Sequence, residues 1–126
     1  MNQTFQQFDI FIEHSQQGSY FTIPFEMVEE AESFTLRYSY PRYPENIDLG
    51  DAFISRQQVN IIDLGLIAPD GSQVGASGSD KTEITISEVH ATPGYRPQKL
   101  VPGRWQIIVG AYKVEPEGVY VRYELC

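Results

Sequence analysis

The sequence predicts an all-β fold: an antiparallel β-sandwich, jelly-roll-like, with about seven to nine strands. Short stretches alternate between apolar and polar residues with a period of two, which is typical of half-buried strands. Turn sequences rich in proline and glycine separate these stretches, and no segment has the length and periodicity of a stable helix. With 126 residues, the chain is long enough to bury one core, so a single domain over residues 1–126 is expected.

The first three strands are predicted in the N-terminal third of the chain. Alternation over residues 8–12 predicts the first strand, and residues 19–26 predict the second. The second contains Pro24, and because proline cannot donate to a β ladder, we expect this strand to be irregular or to lie at a sheet edge. Residues 27–32 have a helical composition but are too few for an independent helix, so they are interpreted as a connecting turn. The clearest alternation follows, in a third strand with apolar positions at Phe34, Leu36, Tyr38 and Tyr40.

The middle of the chain combines loops with two further strands. Residues 41–51 are predicted to form a long loop, and such loops in compact domains are usually functional or mobile. Residues 62–66 predict a fourth strand, which ends in the β-turn sequence of residues 69–72. Residues 75–80 are small and are expected to be flexible, and residues 84–86 predict a fifth strand.

The stretch from Ala91 to Trp105 is expected to be a rigid, ordered loop that leads into a buried strand. Its prolines each fix φ and remove a backbone donor, and its glycines permit φ angles that a side chain would forbid. Beyond the loop, one strand presents a continuous apolar face made of Trp105, Ile107, Val109 and Ala111. After a turn at residues 115–118, alternation predicts a closing strand over residues 119–125.

Charge and cysteine content exclude several classes of partner and location. The formal net charge is −8, and the first 36 residues contain six acidic residues and no Lys or Arg. Binding to nucleic acid or to an anionic membrane is therefore not expected. Cys126 is the single cysteine, so an intrachain disulfide cannot form. The N-terminus lacks the features of a signal peptide and no apolar run reaches membrane-spanning length, so a cytoplasmic location is expected.

The sequence offers no recognisable catalytic or metal-binding motif. The two histidines, His14 and His90, lie 76 positions apart, and the chain has no His-x-His, no Gly-x-Ser-x-Gly and no P-loop. We therefore expect a protein that is not an enzyme and that holds neither a metal nor a cofactor. Four acidic residues could supply calcium ligands, but their spacing matches no defined calcium loop: Asp48, Asp51, Asp70 and Asp80. Alternation places one further carboxylate, that of Asp63, on the outer face of its strand.

Aromatic side chains are the remaining candidates for a binding site, because exposed planar rings serve both sugar-binding modules and protein interfaces. Tyr43 and Tyr95 lie in proline-rich loops and are the better candidates for surface contacts. Tyr38, Tyr40 and Trp105 are expected in the core, and Trp105, the last residue of the Ala91–Trp105 loop, is also a candidate binding residue.

Several segments together resemble a known family. The likeness lies in residues 59–71, 75–79, 91–95 (Ala-Thr-Pro-Gly-Tyr), 102–105 (Pro-Gly-Arg-Trp) and 110–114. These segments resemble the N-terminal β-sandwich region of bacterial CehA/McbA-type metallohydrolases, members of the PHP phosphoesterase superfamily. The likeness extends to residues 21–40, so it covers most of the chain. In that family a catalytic PHP domain follows, and it opens with a Gly-Asp-Leu-His-x-His segment that this chain lacks.

The resemblance implies a non-catalytic accessory domain, the N-terminal part of a longer PHP-type metal-dependent hydrolase. Such a module is expected to pack against or assist the catalytic domain in cis. The expected docking surface is formed by residues 91–105 and 41–51, with Tyr43, Tyr95 and Arg96 as contacts. The alternative is a stand-alone carbohydrate- or ligand-binding module that uses exposed aromatic rings. Strand edges left bare by a missing domain would also allow two copies to pair as a homodimer.

Overall fold

The computed structural model describes residues 6–43 and 58–126, and in this part of the chain it contains eight strands and one 3₁₀ turn. The strands are β1 (Gln6–Ile12), β2 (Ser19–Met27), β3 (Ser33–Ser39), β4 (Ile61–Ile67), β5 (Gln73–Ser77), β6 (Glu83–Ser87), β7 (Gly103–Lys113) and β8 (Val119–Leu125). The 3₁₀ turn covers His14–Gln16, between β1 and β2.

The strands form two four-stranded antiparallel sheets with the topology of a jelly roll. The first sheet has the order β1-β8-β3-β6, and the second has the order β2-β7-β4-β5. The pairs β1–β8, β2–β7, β3–β6 and β4–β5 are nested along the chain, as in a long hairpin that has been folded over into two sheets. This is the double-sheet arrangement of eight-stranded jelly rolls. The predicted all-β antiparallel sandwich is confirmed.

All seven predicted strands are present, and the edge position predicted from proline is confirmed. Pro24 lies in β2 opposite Gln106 of β7, and β2 is one of the two edge strands of the second sheet in the described residues. Between them, the two sheets enclose a core in which Trp105, Ile107 and Val109 are fully buried. The sheets contact each other directly where the rings of Phe25 and Phe34 stack with centroids 5.6 Å apart. The predicted buried strand after the long loop is thus also confirmed.

The expectation that residues 75–80 are flexible is wrong for their first half. β5 extends to Ser77 and pairs with β4. Its small residues have a packing reason, because a Cβ added to Gly75 would lie 2.5 Å from both the Gly94 carbonyl oxygen and the Tyr95 ring. Glycine is needed here so that the Ala91–Trp105 loop can approach the strand closely.

The predicted Ala91–Trp105 loop is ordered, as expected, although its last three residues already belong to β7, and it covers one side of the sandwich. Its backbone N–H groups donate to the edge strands of both sheets: Thr92 to Thr85 on β6 at 3.0 Å, and Arg96 to Val74 on β5 at 2.9 Å. The loop also contributes Leu100, which is 1% exposed, to the core. The β5–β6 side of the sandwich is therefore closed by the chain itself.

The opposite side of the sandwich, between β1 and β2, is not closed in the same way. Among residues 6–43 and 58–126, β1 and β2 each have a neighbouring strand on one side only. Four apolar side chains that pack against the core from these two strands are only partly buried: Phe8, Ile10, Phe21 and Ile23. We call this set the β1–β2 seam. In the described part of the chain, no helix is both long and apolar enough to cross a membrane.

Candidate functional site

Two of the predicted binding residues lie inside the protein. The Trp105 side chain is fully buried, and its Nε1–H donates to the Val101 carbonyl at 3.0 Å. Tyr95 is only 8% exposed, and its hydroxyl lies 2.9 Å from Ser77 Oγ and 3.3 Å from the Leu64 carbonyl oxygen. Burial raises the pKa of Tyr95 to about 12. The predicted surface placement of Tyr95 is therefore corrected, because its ring fastens the Ala91–Trp105 loop to the second sheet.

The other two predicted residues, Tyr43 and Arg96, are exposed but are not brought together. The neighbour of Tyr43, Arg42, donates to the Ser79 carbonyl at 2.7 Å, beyond the C-terminal end of β5. Arg96 donates to Ser72 Oγ at 2.5 Å, just before the N-terminal end of the same strand. A strand of five residues separates these contacts by roughly 20 Å. The described parts of the two predicted docking loops thus lie at opposite ends of the sandwich, and they do not form one surface.

Asp70, one of the four candidate calcium ligands, has a local role in a turn. Asp70 Oδ1 accepts hydrogen bonds from the backbone N–H and the hydroxyl of Ser72, at 2.9 and 2.6 Å. These bonds lower the pKa of Asp70 and hold the β4–β5 turn. Asp48 and Asp51 lie outside the described residues. Among residues 6–43 and 58–126, no three His, Cys, Asp or Glu side chains are grouped so that they could hold a metal ion.

A groove on the outer face of the second sheet brings together an exposed ring and a carboxylate. Strand register places Tyr20 opposite Gly110, and Gly110 opposite Asp63, so three neighbouring strands contribute one row of residues. Tyr20 is 72% exposed, and its ring rests against Gly110, where an added Cβ would lie 2.8 Å from Tyr20 Cε1 and 3.0 Å from Asp63 Cβ. The groove measures about 260 Å³ and is lined by Tyr20, Asp63, Leu64, Ala76, Ser77, Gly78, Ile108 and Gly110.

The carboxylate of Asp63 is half-buried in this groove, on the outer face of its strand as predicted. Burial raises the pKa of Asp63 above its ordinary value of 3.8, and the nearby charge of Asp80 acts in the same direction. The backbone N–H of Ser79 hydrogen bonds to the carboxylate and partly opposes this rise. Asp63 is thus a fixed acceptor that retains unused hydrogen-bonding capacity, because a carboxylate has about four acceptor positions.

Two larger depressions lie at the end of the sandwich that contains the β2–β3 connection. They measure about 460 and 580 Å³, and Glu29, Glu30 and Glu32 are among their lining residues. Lys99 Nζ lies 3.7 Å from Glu30 Oε1 in an exposed ion pair. These acids are exposed to solvent, and within the described residues they do not group around a common point. The smaller groove is therefore the better candidate for a ligand site.

The alternation of β4 predicts Asp63 on an outer face, but nothing in the local sequence connects it with Tyr20. The two residues are 43 positions apart, and only the pairing of β2 with β7 and of β7 with β4 aligns them. A local signal existed in Gly110, a glycine within an otherwise strongly apolar strand, because such glycines often mark a close approach by another group.

Comparisons with known proteins do not assign the chain to a family. No protein-family model and no curated protein matches it. Among solved structures, the crystal structure of a protein from Sulfurospirillum deleyianum is similar over 96% of this chain and 98% of that chain, with 12% identity and a TM-score of 0.42. This degree of likeness adds nothing to what the chain's own geometry indicates about function.

Proposed function

We propose that the chain is a non-catalytic β-sandwich module that packs against a PHP-type metal-dependent hydrolase domain in the bacterial cytoplasm. The resemblance in sequence supplies the identity of this partner. The observation that supports the packing role is the β1–β2 seam, where the inward-facing Phe8, Ile10, Phe21 and Ile23 are left only partly buried.

The seam has the chemistry and the dimensions of an inter-domain contact. β1 and β2 have seven and nine residues, so the seam is about 23–30 Å long. Completing the burial of four large apolar side chains is favourable at roughly 25 cal/mol per Å² removed from water. The opposite side of the sandwich needs no such cover, because the Ala91–Trp105 loop already buries Tyr95 and Leu100 there. Docking is therefore proposed on the β1–β2 side and not at the two loops that the sequence indicated.

The two edge strands differ in how they can meet a partner. Pro24 in β2 has no N–H and opposes the addition of another strand at that edge. β1 contains no proline, and among residues 6–43 and 58–126 no strand lies along its second side, so it can accept one there. The partner domain is expected to pair with or cover β1 and to pack side chains against β2.

Intact mass of the polypeptide from its own cells comes first, because it shows whether a PHP-type segment follows in cis. Hydrogen exchange is then compared between residues 1–126 alone and the module together with that catalytic domain. We expect slower exchange in β1 and β2, with exchange in the Ala91–Trp105 loop unchanged. Phe21→Ser should weaken the association, whereas Val89→Ser, which alters a 73%-exposed apolar residue on the closed side, should not.

Three results would count against this function. The first is protection of the Ala91–Trp105 loop without protection of β1 and β2. The second is equal weakening by Phe21→Ser and Val89→Ser. The third is a stable dimer of the isolated module with β1 protected in solution, which would assign the seam to a second copy instead.

A further inference from the structure

We propose that the groove formed by Tyr20, Gly110 and Asp63 binds one ring of a neutral sugar. This site is separate from the β1–β2 seam, since its residues lie on the outer face of the second sheet and the seam faces the core. If the chain is a carbohydrate-binding module, as the alternative from the sequence has it, this groove is its binding site, and not the loop that contains Tyr43.

The aromatic half of the site is Tyr20. One face of a pyranose ring presents mainly C–H groups, and such a face packs well on an aromatic ring. Tyr20 is 72% exposed, and it is held in place because Gly110 has no side chain and lets the ring rest on the strand backbone. Exposure alone does not single out this ring, because Tyr112 and Tyr120 are each 67% exposed; Tyr20 differs in lying over Gly110 and beside Asp63. The ring is therefore available for stacking without a rearrangement of the sheet.

The polar half of the site is Asp63. Sugars are recognised through hydroxyl groups that donate to fixed acceptors, and a charged acceptor makes these hydrogen bonds stronger. Asp63 lies across Gly110 from Tyr20, and it keeps free acceptor positions beyond its bond from the Ser79 N–H. A ring stacked on Tyr20 would thus direct hydroxyl groups at its edge toward this carboxylate.

Charge and size narrow the ligand class. The groove contains a carboxylate and, among its described lining residues, no basic side chain, while Asp80 adds a second negative charge nearby. Uronic acids and sugar phosphates would be repelled. At about 260 Å³ the groove lies just below the range of typical small-molecule pockets, so it fits one ring of a neutral sugar, either free or within a longer glycan.

The site is also rigid, which favours binding of a weakly held ligand. Tyr20, Gly110 and Asp63 belong to three hydrogen-bonded strands, β2, β7 and β4. The backbone of these strands is already ordered by pairing, so ligand binding does not have to order it and less of the contact energy is offset.

The test is amide NMR titration of residues 1–126 with methyl glycosides of glucose, galactose and mannose, with glucuronic acid as the charged comparison. We expect saturable shifts for at least one neutral glycoside, centred on the amides of Tyr20, Asp63, Gly78 and Gly110, and no such shifts with glucuronic acid. Tyr20→Ala and Asp63→Asn should each weaken binding about tenfold. Tyr20→Phe should bind within about twofold of the original chain, because it retains the ring.

Tyr120→Ala is the matched control. Tyr120 is also a strongly exposed tyrosine, 67% exposed, but it lies on β8 in the other sheet, so its removal should leave the affinity unchanged. The proposal is overturned if no neutral glycoside shifts these amides, if the shifts centre elsewhere, or if Tyr120→Ala weakens binding as much as Tyr20→Ala. Because none of these variants alters the seam, failure here is distinguishable from failure of the docking role.

Discussion

Two buried tyrosines provide a matched test of what a hydroxyl contributes to the core. Tyr38 is 3% exposed and Tyr123 is fully buried, and their rings stack with centroids 5.8 Å apart and an interplanar angle of 13°. The Tyr38 hydroxyl donates to the Ile62 carbonyl in the opposite sheet at 2.5 Å. Among the described residues, the Tyr123 hydroxyl has no hydrogen-bond partner. Replacing either residue with phenylalanine removes one oxygen and retains the stacked ring.

The two substitutions should change the free energy of unfolding in different ways. Tyr38→Phe removes a buried hydrogen bond between the sheets, and we expect it to destabilise the protein by about 1–2 kcal/mol. Tyr123→Phe removes a hydroxyl that is desolvated without compensation, so we expect no loss, or a gain of up to about 1 kcal/mol. The difference is about 1.5 kcal/mol or more, which corresponds to roughly 1 M in the urea midpoint for an m-value near 1.5 kcal/mol/M.

Urea unfolding, followed by far-UV circular dichroism at neutral pH, measures both changes. The m-values should stay equal to that of the original chain, which shows that the midpoint shifts report stability. A loss of 1 kcal/mol or more in Tyr123→Phe would refute the reasoning, because it would mean that this hydroxyl is paired in solution. Equal midpoints for the two variants would refute it as well.

Two other predictions follow from the closed side of the sandwich. Gly75→Ala should lower the free energy of unfolding by about 2–3 kcal/mol, because its Cβ would lie 2.5 Å from the Gly94 carbonyl oxygen and the Tyr95 ring. Limited proteolysis should then cut within residues 88–102 of the variant, where we expect the original chain to resist cleavage. An unchanged urea midpoint would show that the loop is not packed on β5. Stability should also fall as the pH rises from about 10, the ordinary pKa of tyrosine, toward about 12, the pKa of Tyr95 in the folded protein, because the unfolded chain releases that proton first. The free energy of unfolding falls by up to roughly 1.4 kcal/mol per pH unit for each tyrosine whose pKa is raised in this way. The slope of stability against pH, measured by urea unfolding at pH 9–12, should therefore be shallower in Tyr95→Phe. An identical slope would contradict the raised pKa of Tyr95.

Local pattern was sufficient for most of the strands. The alternation of apolar residues located seven strands, and Pro24 identified β2 as an edge, because a missing N–H and the face of a strand are properties of the local sequence. β5 escaped detection because its residues are small and its position is fixed by pairing with β4 and by the Tyr95 contact, not by its own apolar period. The nested strand order could not be predicted from periodicity either, because periodicity does not show which strand pairs with which.

The placement of side chains at the surface depended on tertiary structure throughout. A proline-rich loop context suggested an exposed Tyr95, yet the loop folds back over β5 and buries that ring, because its backbone N–H groups donate to Thr85 on β6 and to Val74 on β5. The groove of Tyr20 and Asp63 and the β1–β2 seam arise from contacts between residues far apart in the chain. The sequence by itself determined that the protein is an all-β sandwich and which faces of its strands are apolar. Only the tertiary structure decided which apolar side chains of the described residues are only partly buried and which polar groups meet, because both depend on strand register and on the path of one long loop.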